Sequence, residues 1–198
     1  MEIKEFAGLE AKKYLTELAL LRINIFREYP YLYDGNIESE LLSLQRYLRS
    51  DNFSLFVVFD NGKPVGMNTC LPLAAENLLI RQPFIDQNID TNKYFYVAES
   101  LLLEPYRNKG IGKKLLHLCE NKAIKLQGIE FTCFCTVLRE KNHPAKPSDY
   151  IELDGFCEKL GYHRQENLRA KLSWREINHE YETPKSMVFW TKPIMGQL

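Results

Sequence analysis

Apolar residues recur along this chain with two different periods, and the switches between them mark its elements. Over residues 10–28, Leu15, Leu18, Ala19, Arg22, Ile25 and Phe26 fall on one face at steps of three and four, which predicts an amphipathic helix that Pro30 ends. A second helical pattern runs through Leu41, Leu42, Leu44, Tyr47 and Leu48 over residues 38–49, and Ser50, Asp51 and Asn52 break it. Residues 53–59 and 65–71 are β-rich runs on either side of Asp60-Asn61-Gly62-Lys63, a hairpin turn whose Asn-Gly pair supplies positive φ. Pro72 closes the returning strand. Residues 73–92 predict a short helix within an irregular excursion, with Pro83 starting a helical turn.

The period then returns to that of a strand over residues 94–103, which Pro105 stops by removing a backbone donor. From Gly112 a helix buries Leu115, Leu118, Cys119, Ala123 and Leu126 and stops at Gly128. Residues 129–138 form the next strand. A strand, helix and strand in one sheet make a right-handed crossover, so this strand lies parallel to the one at 94–103. After a loop at 139–149 rich in proline and charge come a helix at 151–160 capped by Gly161, then strands at 168–177 and 185–194 paired antiparallel across the 178–184 loop. There is room for one more strand in residues 1–6. The fold class is α/β (α+β): a mixed central sheet of six to seven strands flanked by helices, a single domain over residues 1–198.

Composition narrows the class without changing this outline. A content of 45% hydrophobic and 12% aromatic residues belongs to a folded globular domain. Lys plus Arg equal Asp plus Glu at 26 each, so no global field argues for nucleic acid. The first ten residues contain no apolar signal segment and no stretch is long enough for a membrane span, so the expectation is a cytoplasmic protein with neither nucleic-acid nor membrane partners. Cys70, Cys119, Cys133, Cys135 and Cys157 show neither C-x-x-C pairs nor a Cys/His zinc pattern. They read as reduced, buried, small hydrophobes, and no metal is expected.

The turn after the central strand carries the chemistry. Gly110 and Gly112 allow a tight bend and a bare backbone, and the following helix points its unpaired N–H groups and positive dipole end at the same place. That is an anion cradle, and Arg107, Lys109 and Lys113 add positive charge suited to a diphosphate. A dinucleotide fingerprint would need a glycine where Leu115 stands, and a P-loop would need Ser or Thr where Lys114 stands. Arg107-Asn108-Lys109-Gly110-Ile111-Gly112 instead resembles the Arg/Gln-x-x-Gly-x-Gly/Ala signature of the GNAT superfamily of acyl-CoA-dependent N-acyltransferases. The resemblance extends over essentially the whole chain to a bacterial subgroup of that superfamily, through residues 26–35, 99–102, 174–177 and 187–190. It stops at the chemistry class and implies no acceptor.

The resemblance implies a gap between two splayed parallel strands that admits acetyl-CoA as co-substrate. Backbone groups of Leu101, Leu102 and Leu103 would pair with the pantetheine arm, the N–H of Leu103 would polarise the thioester carbonyl, and the N–H groups of Asn108, Lys109, Gly110, Ile111, Gly112 and Lys113 would hold the pyrophosphate. Glu99, inside an apolar strand, is the candidate base that takes the amine proton, the alternative being a structural carboxylate hydrogen-bonded to a neighbouring strand or loop, and Glu104 is a weaker candidate. The acid position departs from the family pattern: Cys157 stands where many members keep a tyrosine, so the proton for the thiolate comes from Cys157, Tyr150 or water.

The loop at 26–35 concentrates tyrosines and charge, and Arg27, Tyr31, Tyr33 and Asp34 are candidate acceptor contacts, a combination that favours a cationic or zwitterionic amine. The alternative for that loop is a staple of aromatic rings. His143, Trp174, Phe189 and Trp190 read first as an exposed loop histidine and as strand core. The leading function is transfer of an acetyl group from acetyl-CoA to a primary amine of a small molecule by direct attack. The competing functions are a catalytically silent acyl-CoA-binding module and a protein or peptide N-acetyltransferase, with a homodimer left open.

Overall fold

In the computed structural model, which describes residues 1–48, 50 and 52–194, the chain opens with the strand for which the first six residues left room, Glu2–Phe6 (β1). The first helical pattern is divided: Gly8–Tyr14 winds as a 3-10 helix, Tyr14 leaves helical backbone space, and the α-helix proper is Leu15–Phe26 (α1). Ile37–Tyr47 (α2) follows, started by the Asn36 side chain, which accepts from the Ser39 N–H at 3.0 Å. The expected end of this helix at Arg49 and the break at Asp51 lie outside the described residues.

Ser54–Asp60 (β2) and Lys63–Pro72 (β3) form the hairpin, with Asn61 and Gly62 at φ 48° and 78° as that turn requires. The helix in the excursion, Leu78–Ile85 (α3), corrects the reading of Pro83. Asn77 caps it by accepting from the Ile80 N–H at 3.1 Å, and Pro83 lies inside, buried with Ile80 and Phe84. In so short a helix the lost donor costs one bond, and apolar burial offsets it.

Tyr94–Leu102 (β4), Ile111–Ile124 (α4) and Phe131–Val137 (β5) make the crossover, with β4 and β5 parallel. The next helix is shorter than expected, Asp154–Lys159 (α5), because Ile151 and Leu153 are exposed and only Cys157 of the helix is buried. His163–Arg175 (β6) and Glu182–Pro193 (β7) both begin before their apolar residues do. β6 is an edge strand, and a bulge between Gln165 and Arg169 breaks its alternation, so its charged first half carries no strand signature.

The seven strands form one sheet in the order β1-β2-β3-β4-β5-β7-β6. The helices α1, α2 and α3 cover one face, packing Leu18, Leu44 and Phe84 over Val57, Tyr96 and Phe189. The other face is covered by α4 and α5, with Leu115, Cys119 and Cys157 over Phe95, Val97 and Trp190. Among the described residues no helix is long and apolar enough to cross a membrane.

Candidate active site

β4 and β5 keep register only where Tyr94, Phe95 and Tyr96 face Phe131, Thr132 and Cys133. Beyond Tyr96 they part, while β4 stays paired to β3 as far as Leu102. The Leu103 N–H donates to the Val65 carbonyl at 3.0 Å. Backbone groups alternate sides along an antiparallel ladder, so Leu101 and Leu103 turn toward β3, and Ser100 and Leu102 turn toward the gap. Arg107 Nε donates to the Leu102 carbonyl at 2.9 Å, which leaves the Leu102 N–H and both backbone groups of Ser100 along the gap. The expected role of the Leu103 N–H is therefore corrected, because that donor is spent on Val65, and Leu101 faces the same way. Ser100 is the residue the sequence reading missed; the register of β3 against β4 was needed to find it.

The turn bends where Asn108 and Gly110 adopt φ 60° and 76°, and α4 starts on Gly110. Lys114 N–H makes the first helical bond, to the Gly110 carbonyl at 3.1 Å, so the N–H groups of Ile111, Gly112 and Lys113 lie ahead of it. A Cβ on Gly112 would meet nothing within 4 Å. Bare backbone at a helix N-terminus with open space before it fits a diphosphate, and so the co-substrate the motif implies. Arg107 does not serve as mobile charge: Nη1 pairs with Glu28 at 2.7 Å, and the side chain straps the turn to the end of α1. Lys109 reaches over the Tyr106 ring at 5.8 Å and Lys113 is exposed, so these two remain to meet phosphate.

Glu99 is 7% exposed, on the face covered by α1. Its carboxylate is paired. Arg22 of α1 pairs with it and with Glu40 of α2, and the Tyr33 hydroxyl hydrogen-bonds Glu40. Burial first, then that bond to Glu40, pushes the Tyr33 phenol above its ordinary range, so it stays a neutral donor. Glu104 is exposed at the turn, away from this cluster.

The loop before α2 is stapled as well as polar. Arg139 donates to the carbonyls of Pro30 and Tyr31 and pairs with Glu176, and Trp174 Nε1 donates to the Tyr31 carbonyl at 2.9 Å. Tyr31 itself is half-buried, and desolvation pushes its phenol up. Asp34 is held by Arg27 at 3.3 Å and Arg175 at 2.8 Å, and its N–H donates to the Arg175 carbonyl at 2.9 Å. Tyr33 and Asp34 line a cleft of about 370 Å³ with Asn36, Ser39, Arg175 and Glu182. A larger cleft, about 720 Å³, lies by β1 between Lys4, Phe6 and Lys13 and shares no residue with the site.

Tyr150 meets the Tyr29 ring edge-on at 4.6 Å, and His143 meets the same ring at 5.7 Å. Burial pushes the Tyr150 phenol up to about 12. Phe189 and Trp190 are core residues, and Trp174 is a half-buried strut.

Cys157 lies on the opposite face of the sheet from Glu99, packed with the α4 layer. Burial pushes its thiol up to about 12, which makes it a weaker acid than an ordinary thiol. Cys157→Ala should therefore cost about 1 kcal/mol of stability and leave the rate per folded molecule unchanged, read by melting and by initial rates on the same sample. A loss of rate with unchanged melting would restore the thiol as the acid.

A parallel pair splayed beside a helix N-terminus, with a buried carboxylate on β4, is the arrangement expected of the GNAT fold. The model of the Acetyltransferase (GNAT) family matches residues 21–162, and the chain belongs to that family. Among curated protein sequences none matches. Solved structures share the fold at low identity. A ribosomal-protein-alanine N-acetyltransferase from Brucella melitensis aligns with TM-score 0.62 and 14% identity over 98% of this chain and 99% of its own. Arabidopsis thaliana NAA60 in complex with a bisubstrate analogue aligns at 0.61 and 14%, over 99% and 100%. A GNAT-like decarboxylase, GphF, in complex with isobutyryl-CoA, aligns at 0.59 and 16%, over 98% and 100%.

Proposed function

We propose that this protein transfers an acetyl group from acetyl-CoA to a primary amine of a small molecule by direct attack. The observation that carries the reading is the position of Glu99: a buried carboxylate on β4 just past the point where β5 leaves, beside backbone groups with no strand to pair with. The N–H groups that open α4, with Lys109 and Lys113, would hold the pyrophosphate, and the Ser100 and Leu102 backbone would align the arm that carries the thioester. Glu99 accepts a proton from the amine. The nitrogen lone pair then forms the N–C bond, the C–S bond breaks, and the second nitrogen proton passes through water to the departing thiolate, since burial raises Cys157 and Tyr150 to about 12 and makes both weaker acids than an ordinary thiol.

The choice of a small acceptor over a polypeptide is supported by the stitching of the α1 to α2 loop onto the end of β6. The Ile177 N–H donates to the Leu32 carbonyl at 2.8 Å, Tyr33 bridges Glu176, and Asp34 bonds Arg175, so the loop is pinned to β6 beside a cleft of about 370 Å³, a volume that suits a small molecule. A screen of primary amines, amino acids and short peptides by thiol release from acetyl-CoA tests both parts. Turnover of a small amine with no turnover of peptides is expected. Turnover of peptides alone would reverse the acceptor class, and acetyl-CoA binding without any turnover would make the protein a silent binding module.

A further inference from the structure

Two hydroxyls flank the gap on the face of the sheet opposite Glu99. Counted from the last paired rung, Tyr96 with Cys133, β4 continues through Val97, Glu99 and Ser100, with Ala98 bulged out, and β5 continues through Phe134, Cys135 and Thr136. Ser100 and Thr136 therefore stand level with each other where the strands have parted. Side chains alternate between faces along each strand, and Val97 and Phe134 pack in the layer under α4, so Ser100 and Thr136 point to that side as well. Glu99 points the other way, toward Arg22 of α1.

Each hydroxyl has its acceptor side tied to a buried donor. Asn68 of β3 lies beside Ser100 in the ladder, and its neighbours fix how its amide is turned. With the nitrogen toward β4 it donates to Ser100 Oγ at 2.7 Å and to the Glu99 carbonyl at 3.0 Å; the reverse would aim the nitrogen at the Cys119 thiol and set the oxygen against acceptors. Across the gap, Trp190 Nε1 from β7 donates to Thr136 Oγ1 at 3.1 Å. Asn68 and Trp190 are buried, whereas Ser100 is exposed and Thr136 half-buried. Among the described residues no acceptor takes the O–H of either hydroxyl. A hydroxyl that accepts from a fixed N–H and meets no acceptor of its own keeps its O–H to donate into the gap.

We propose that Ser100 and Thr136 grip the thioester sulfur and the thiolate it becomes, and that Ser100 hands that thiolate its proton. The grip rests on the binding of acyl-CoA in the gap, and the proton step rests in addition on the acetyl-transfer reading. An arm aligned on the Ser100 and Leu102 backbone brings its sulfur level with the two hydroxyls, while the amine comes from the Glu99 face, so nucleophile and leaving group lie on opposite sides of the sheet. As the C–S bond breaks, the Ser100 O–H bond breaks and an S–H bond forms. Ser100 Oγ regains a proton from water, and that water takes the second nitrogen proton. The thiols on this face, Cys70, Cys119 and Cys157, are buried and leave the sulfur to the hydroxyls.

The test titrates the thiol of CoA bound to the full chain, followed by the ultraviolet absorbance of its thiolate. Hydrogen bonds to the thiolate should hold the bound thiol about one pH unit or more below that of free CoA. Ser100→Ala and Thr136→Val should each raise it by about one unit, and Thr136→Ser, which keeps the hydroxyl, should not. Lys109 and Lys113 stand at the turn that would take the pyrophosphate, and Glu99 and Cys135 on the other face, so these groups act alike in every variant. Thr136→Val also strands Trp190 Nε1 and should lower the melting temperature, whereas in Ser100→Ala the Asn68 nitrogen keeps the Glu99 carbonyl. A purely structural role would move melting temperatures without moving the thiol. With an acceptor in hand, Ser100→Ala should slow a single turnover about tenfold and leave KM unchanged. A bound thiol that titrates alike in the wild type and Ser100→Ala, or an unchanged single-turnover rate, would overturn the inference even if acetyl transfer is found. A hydroxyl-dependent titration without transfer to any amine would overturn the transfer reading and leave the grip standing, and failure to bind CoA would overturn both.

Discussion

Replacing Gly112 with leucine should weaken acetyl-CoA binding by about a hundredfold or more while leaving the free protein at least as stable as before. The two halves of that result have separate causes. Gly112 sits in the first turn of α4 with ordinary helical backbone, and a Cβ there would meet nothing within 4 Å. The Cβ of a leucine therefore costs the folded chain no clash, and leucine has the better helix propensity by up to about 1 kcal/mol. Any loss of affinity must come from the space in front of the N–H groups, where a side chain would stand between backbone and pyrophosphate. Gly110 gives a less clean probe, because its φ of 76° strains any L-residue by about 1–2 kcal/mol and would loosen the cradle itself. Titration calorimetry with CoA, set beside the melting temperature of each variant, separates the two. Undiminished affinity in Gly112→Leu would place the pyrophosphate elsewhere on the molecule.

The second large effect is expected at Glu99. Glu99→Gln removes the proton acceptor but preserves shape, and Arg22 keeps Glu40 as its partner, so the buried guanidinium is not stranded and the fold should survive. Turnover near neutral pH should fall by about a hundredfold, with acetyl-CoA affinity unchanged. The loss should depend on pH in a definite direction. A primary amine with a pKa of about 10 is almost wholly protonated at neutral pH and needs a base; as pH rises toward that value, free amine appears in solution and the variant should recover relative to the wild type. A rate profile from pH 6.5 to about 9.5 for both proteins measures this. A deficit that stays constant across the profile would make Glu99 a positioning group and not the base.

How far the site could be read before folding differs from residue to residue. Gly110 and Gly112 were legible because their role is local: a turn of that curvature followed by a helix start depends on a few consecutive residues. Arg107 belongs to the same motif, yet its partner is Glu28, nearly 80 positions away in the chain, and no spacing rule reaches that far. Leu103 and Ser100 exchanged roles for a similar reason. Which backbone groups face the gap depends on the parity of β4 against β3, and a shift of one residue reverses it.

The same division runs through the fold. The Asn61-Gly62 hairpin, the β4 to α4 turn and the helical faces of α1 and α4 are set by short-range sterics and by the period of apolar residues, which the sequence carries explicitly. The charged start of β6, Pro83 inside α3 and the truncation of α5 are decided by what each segment packs against, and tertiary burial overrides local preference there. Glu99 shows the limit most plainly. The sequence by itself determined that a carboxylate lies in the central strand beside the anion cradle. Only the tertiary structure decided its partners, by bringing Arg22 from α1 to Glu99 and Glu40 from α2 to the same guanidinium. Electrostatic interactions depend on distance in space and on exclusion of water, and neither quantity exists in a chain until it has folded.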